Sequence, residues 1–197
     1  MKIVFAPSEI LSQPAKSVGK IDSSILKVIK KMKVVLESAK DPEGVGLAAP
    51  QIGVSLQIFI ARPTPKSKIM VFINPKIIEI DTPTSKFTKE RTVKSRGAGS
   101  GSARKKKETQ KLEGCLSLKD IWGTVLRSPK LTLSFLDEKG TRQTKTFEGF
   151  LATIIQHEYD HLQGILFTKR VLEQKGKLYK SSKDEENEDV FEELELP

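Results

Sequence analysis

The chain has 197 residues, 37% hydrophobic and 30% charged, enough for one domain with additional solvated segments. No stretch approaches the roughly 20 consecutive apolar residues of a membrane span, and the first ten residues show no secretory signal. A lone cysteine, Cys115, excludes an internal disulfide and fits a reducing, cytoplasmic setting.

The formal charge of +9 is unevenly spread: residues 86–111 carry +8 and residues 183–197 carry −7. Basic surface suits anionic partners such as RNA or a ribosome, bound weakly. The plainer reading of both charge blocks is a solvated loop and a solvated tail.

In chain order, residues 1–20 read as extended and loop-like, broken by Pro7 and Pro14. Asp22 then caps an amphipathic run in which Ile25, Ile29, Met32 and Leu36 recur at helical spacing, so a helix is predicted over 22–39. Gly44 to Gln51 follows, rich in small residues that let backbone pass close to a neighbour. Leu56–Ala61 and Ile69–Ile73 read as strands, with Ile77–Ile80 as a third.

Periodicity is lost from about 82 to 111, where a Gly/Ser/Lys/Arg-rich run predicts a basic, low-complexity insertion. Such an insertion either projects into solvent or folds over a site and gates it. Leu131–Leu136 and Thr141–Phe147 predict a hairpin around Asp137–Gly140. A second helix is predicted from Phe150 to Gln163, stopped by Gly164. Residues 181–197 are acidic and poor in apolar residues, and predict a disordered tail. The pattern predicts one α+β domain over 1–180, with mainly antiparallel sheets packed around the second helix.

That helix carries the sharpest chemical signal, His157-Glu158-Tyr159-Asp160-His161, an HExxH sequence. Residues four apart on a helix share a face, so two imidazoles can chelate one metal ion. Glu158 is rotated off that line and can reach a water at the ion. The chain's two histidines are both here. The bland alternative is a surface histidine pair beside an ordinary glutamate.

HExxH names a mechanism and not an enzyme. Metalloproteases with this motif take a third ligand downstream, His or Glu. No histidine follows His161, and Glu173 lies in a Lys/Arg-rich stretch that reads as solvated. Cys115, in Glu113-Gly114-Cys115-Leu116-Ser117, is the better candidate beside the histidine pair, although a lone cysteine is commonly just a small buried hydrophobe.

Three segments, Gly44-Val-Gly-Leu-Ala-Ala-Pro-Gln51, Glu113-Gly-Cys-Leu-Ser117 and Gln156-His-Glu-Tyr-Asp-His-Leu162, resemble in order the signature motifs of the peptide deformylases. The likeness extends over most of residues 1–172 and leaves out the insertion and the tail. It implies a metal-dependent hydrolase that removes the N-formyl group from the initiator methionine of nascent polypeptides. It implies Cys115, His157 and His161 as metal ligands, with Fe2+ as the usual ion and Zn2+ or Ni2+ as alternatives. Glu158 becomes the acid/base, and the Leu116 N–H and the Gln51 amide become oxyanion donors. Gly46 bonds the substrate backbone; Val45, Phe150 and Ile154 line the methionine pocket. Glu113 and Arg127 form an ion pair behind the ligand loop. A cytoplasmic monomer is expected.

Trp122 stands where many members of that family carry a polar or basic residue. It is either an altered platform for the peptide or a half-buried aromatic. Two rivals remain: an HExxH metallopeptidase with another third ligand, and a non-catalytic ribosome- or RNA-binding relative.

Overall fold

A computed structural model describes residues 2–82, 112–184, 186 and 188–195. The predicted insertion therefore lies, from residue 83 on, outside the described residues. The architecture is α+β, as the patterning predicts. No helix among the described residues is long and apolar enough to cross a membrane.

Helix α1 spans Ser23–Ser38, and the Asp22 side chain caps it by accepting from the Ser24 and Ile25 backbone N–H groups. Strands β1 (Gly46–Ala48), β2 (Ile58–Ala61) and β3 (Met70–Ile80) pair antiparallel in sequence. The β6 (Lys130–Leu136) and β7 (Arg142–Glu148) hairpin completes a five-stranded sheet of order β1-β2-β3-β6-β7. A second sheet has the order β4-β5-β8-β9, built from Leu112–Cys115, Leu118–Thr124, Leu178–Lys183 and Asp189–Leu194. Helix α2 (Gly149–Leu162) and the short α3 (Phe167–Glu173) link the two.

Both faces of the first sheet are covered, which is why β2 reads Ile-Phe-Ile-Ala without alternation. Ile58 and Ile60 join Ile29, Met32 and Leu36 of α1 in one core cluster. Phe59, Phe72, Phe135 and Phe147 join Ala152 and Ile155 of α2 in the other. The Phe59 and Phe72 rings stack at 4.5 Å. A smaller third cluster seats α3 on the second sheet through Phe167, Val171, Leu178 and Cys115.

Two expectations are corrected. The separate strands at Ile69–Ile73 and Ile77–Ile80 are one strand with register shifts against β6. Pro75 cannot donate to the ladder and Asn74 adopts φ +48°, so the strand bends without ending. The disordered tail is instead, over Asp189–Leu194, an ordered strand on β8. Its acidic residues lie opposite lysines: Lys177 Nζ is 2.8 Å from Glu193 and Lys183 Nζ 2.7 Å from Asp189. Leu194 also packs on the third core cluster.

Helix α2 stops as expected at Gly164, with φ +70°. A Cβ there would lie 2.7 Å from backbone atoms of Ser12 and Gln13. Gly164→Ala therefore meets a conformational and a steric penalty together. It is expected to lower unfolding free energy by more than about 1 kcal/mol in urea titrations.

Candidate metal centre and active site

The HExxH residues occupy the C-terminal half of α2, with His161 in its last turn, and the helix packs along β1 and β2. His157, Glu158, Asp160 and His161 are all buried. Cys115 ends β4 on the other sheet and is also buried. One ligand atom from each of Cys115, His157 and His161 falls within 4.8 Å of the others. Cys115 Sγ is 3.2 Å from His161 Nε2. The imidazoles that helical spacing pairs, and the Cys115 sulfur that likeness to the family motifs adds, thus come together from a helix and a strand.

Behind them runs a chain of alternating charges. His157 Nδ1 is 2.6 Å from Glu113 Oε1, which leaves Nε2 as the ring nitrogen available to a metal ion. Glu113 accepts two bonds from Arg127, at 3.0 and 2.6 Å. Arg127 also donates to Asp160 at 2.6 Å, and Asp160 accepts two bonds from Arg170. Burial alone would raise the Glu113 pKa, but Arg127 and His157 hold it well below the usual carboxylate range. Burial opposes charge on His157, yet Glu113 and the Cys115 sulfur outweigh it and push its pKa well above 6.5. Burial and the adjacent His157 push His161 the other way. Glu113 thus favours positive charge at His157, on one side of the site. That preference, with three soft and borderline donors at coordinating separation, fits a divalent transition metal.

Glu158 differs from Glu113 in forming no ion pair among the described residues. Its Oε2 is buried and makes no hydrogen bond among the described residues. Burial, with a smaller push from Glu113, raises its pKa to about 7. Gly46 makes room for it: a Cβ at that position would collide with the carboxylate. Gln51 sits in a 3-10 turn over Ala49–Ile52 and is buried. The Ala48 N–H donates to its Oε1 at 2.8 Å, so its Nε2 is turned toward Cys115 Sγ and Ser117 Oγ, at 3.5 and 3.3 Å. The N-terminal segment ties these pieces together. Val4 N–H donates to the Gln51 carbonyl at 2.8 Å and Ala6 N–H to that of Ser117 at 3.0 Å.

Gly46, Gln51, Glu113, Cys115, Arg127, His157, Glu158 and His161 are thus joined by direct contacts. Val45 packs on the core cluster that contains buried Ile154. Leu116 is partly buried against the α1 cluster. Phe150 is 44% exposed at the start of α2, whereas the buried His157 and His161 lie in the helix's C-terminal half. Glu173, weighed as a ligand, instead pairs with Arg170 at 3.0 Å. Sequence reasoning missed Asp160 and Arg170. Asp160 was an unread "x" inside HExxH, although its place three residues after His157 puts it near the same face.

A buried group of one cysteine sulfur and two imidazoles, beside a carboxylate whose Oε2 makes no hydrogen bond among the described residues, defines the class: a metal-dependent hydrolase centre carried on an α+β scaffold. Comparison with known proteins narrows this. A family model for polypeptide deformylase matches residues 1–177. The peptide deformylase of Borreliella burgdorferi is 35% identical over 167 residues, 85% of each chain. That of Agrobacterium fabrum is 33% identical over 172 residues, 86% of this chain and 85% of its own. Among solved structures, the peptide deformylase of Legionella pneumophila superposes with TM-score 0.68 at 34% identity, covering 86% of this chain and 84% of that one. The Synechococcus elongatus enzyme, solved with actinonin, gives 0.66 at 34% identity over 86% and 78%. The chain belongs to the peptide deformylase family, enzymes that remove the N-formyl group by metal-dependent hydrolysis.

The charge chain makes a stability prediction. Arg127→Met leaves Glu113 and Asp160 buried without their shared cation, and breaking such a pair costs about 3–5 kcal/mol. Urea unfolding of metal-free protein is expected to show a loss of that size, larger than for Arg170→Met at the exposed end.

Proposed function

We propose that this chain deformylates formyl-methionyl nascent peptides through Cys115, His157 and His161 as metal ligands and Glu158 as acid/base. The observation that carries the reading is the convergence of those three donor atoms within 4.8 Å, next to the buried Glu158 carboxylate, whose Oε2 makes no hydrogen bond among the described residues. A divalent ion held there supplies Lewis acidity toward water and toward an amide carbonyl. Fe2+ is the proposed ion; the donor set also accommodates Zn2+ and Ni2+.

Amide hydrolysis then needs proton transfer and charge stabilisation, and the chain provides both. Glu158, with its pKa near neutrality, takes the proton from the attacking water and returns it to the departing amine. Gln51 Nε2, oriented by the Ala48 N–H, donates to the negative oxygen that develops on the formyl group. The Leu116 N–H is the second donor. Each such donor can contribute about 3 kcal/mol in the transition state.

The substrate backbone has places to bind. Strands β1 and β4 are each the terminal strand of their sheet, and each carries residues of the site, Gly46 and Cys115. An extended peptide can add to such an unpaired edge. Gly46 is the proposed backbone contact, and Val45, Ile154 and Phe150 line the space for the methionine side chain. The proposal is of a cytoplasmic monomer, with basic surface giving a weak contact to ribosomal RNA.

The test is formate release from formyl-Met-Ala-Ser by anaerobically purified protein, with metal analysis on the same sample. Glu158→Gln is expected to retain the ion and lose about 10²–10⁴-fold in rate, the range for a positioned acid/base. Cys115→Ala is expected to lose the ion. Full metal content in Cys115→Ala would leave the thiolate out of the site and favour a metallopeptidase with another ligand.

A further inference from the structure

We propose that Trp122, held from behind by the C-terminal hairpin β8–β9, is a positioning residue for the strand that delivers Cys115; this rests on the reading of Cys115 as a metal ligand. Within its sheet β4 has one hydrogen-bonded neighbour, β5, because it is the terminal strand. The two strands pair Glu113 with Gly123 and Gly114 with Trp122, and these pairs lie on opposite faces of the sheet.

On the inner face Glu113 reaches His157, and Gly123 lets Val171, Leu178 and Phe167 close up; a Cβ there would lie 2.6 Å from Val171. On the outer face the Trp122 indole lies over Gly114. A Cβ on Gly114 would meet ring carbons at 2.7 and 2.8 Å. The indole therefore backs β4 one residue before Cys115. The strand is gripped from both sides at the point where it turns into the ligand loop.

The indole is itself held. Its Nε1 donates to Ser181 Oγ of β8 at 3.1 Å, and the Phe191 ring of β9 meets it edge-on, with centroids 5.8 Å apart at 81°. The hairpin that supplies those partners is fastened by the cross-strand ion pairs of Lys177 with Glu193 and Lys183 with Asp189. A continuous line of contact runs from Phe191 through Trp122 and Gly114 to Cys115. It gives the acidic C-terminal strand a role at the centre.

The experiment uses the Co2+-substituted full-length protein and three variants: Trp122→Ala, Trp122→Phe and Phe191→Ala. Wild-type protein gives a thiolate-to-cobalt charge-transfer band, and ion loss to a chelator gives a rate. Trp122→Ala is expected to shift or weaken the band and speed ion loss about tenfold or more, the scale on which outer-shell partners act. Trp122→Phe, which keeps a ring over Gly114, is expected to restore most of both. Phe191→Ala is expected to fall between, at unchanged secondary structure by circular dichroism. The alkylation rate of Cys115 in metal-free protein should rise in the same order.

An unaltered band and loss rate in Trp122→Ala would overturn the inference. Should that variant fail to fold, an unaltered band and loss rate in Phe191→Ala would overturn it equally. A wild-type protein without any thiolate band would instead overturn the ligand assignment on which it stands.

Discussion

One buried carboxylate sets the position of everything at the centre. Glu113 comes from the strand that ends in Cys115, and its partner His157 comes from the C-terminal half of α2. Those elements belong to different layers of the molecule, and backbone hydrogen bonds do not join them. The hydrogen bond between Glu113 and His157 does. Arg127 bonds Glu113 and Asp160 at once, so it ties the same strand to the same helix a second time. Two buried ties across one gap fix the separation and the angle. Only then do a sulfur from one layer and two imidazoles from the other reach a common point. Burying such charges is expensive, and the alternation from Glu113 to Arg127 to Asp160 to Arg170 is what makes it tolerable. The chain ends at Arg170, about a third exposed, where water takes over.

The same burial divides two glutamates into two jobs. Glu113 lies against a guanidinium and a histidine and stays ionised. Glu158, its neighbour across the site, has burial as its dominant influence and titrates near neutrality. A group that must both accept and give a proton in one turnover works best with a pKa near the ambient pH. Gly46 is part of that arrangement, because any side chain there would displace the carboxylate. The glycine admits Glu158 to the edge of β1, where an incoming peptide backbone would pass.

How much of this the sequence disclosed follows from how local each signal is. Helix α1 was legible because its period and its Asp22 cap lie within one short stretch. The HExxH pair was legible because helical geometry alone puts its members together. Cys115 needed more: a lone cysteine says little, and only likeness to three ordered motifs joined it to the histidines. Asp160 and Arg170 escaped because ion pairs between helices leave no periodic trace. The C-terminal strand escaped for a related reason. Composition made Asp189–Leu194 look too acidic to pack, but strand pairing depends on what lies opposite. Here lysines of β8 and its approach lie opposite, and Trp122 lies beyond them. Charge counted along a chain misses charge matched across a sheet.

That matching also bears on why the two sheets remain open where they do. An unpaired strand edge invites unwanted association, and proteins keep such edges short or charged. The outer edge at β9 is of the charged kind, lined by Asp189, Glu192 and Glu193. The inner edges at β1 and β4 are of the short kind, three and four residues long. Each carries a glycine, Gly46 or Gly114, and each ends within reach of the donors. An edge of three or four residues offers another protein's sheet few backbone groups to pair with. Neither glycine leaves empty space beside its edge: the Trp122 indole lies over Gly114, and the Glu158 carboxylate fills the space beside Gly46.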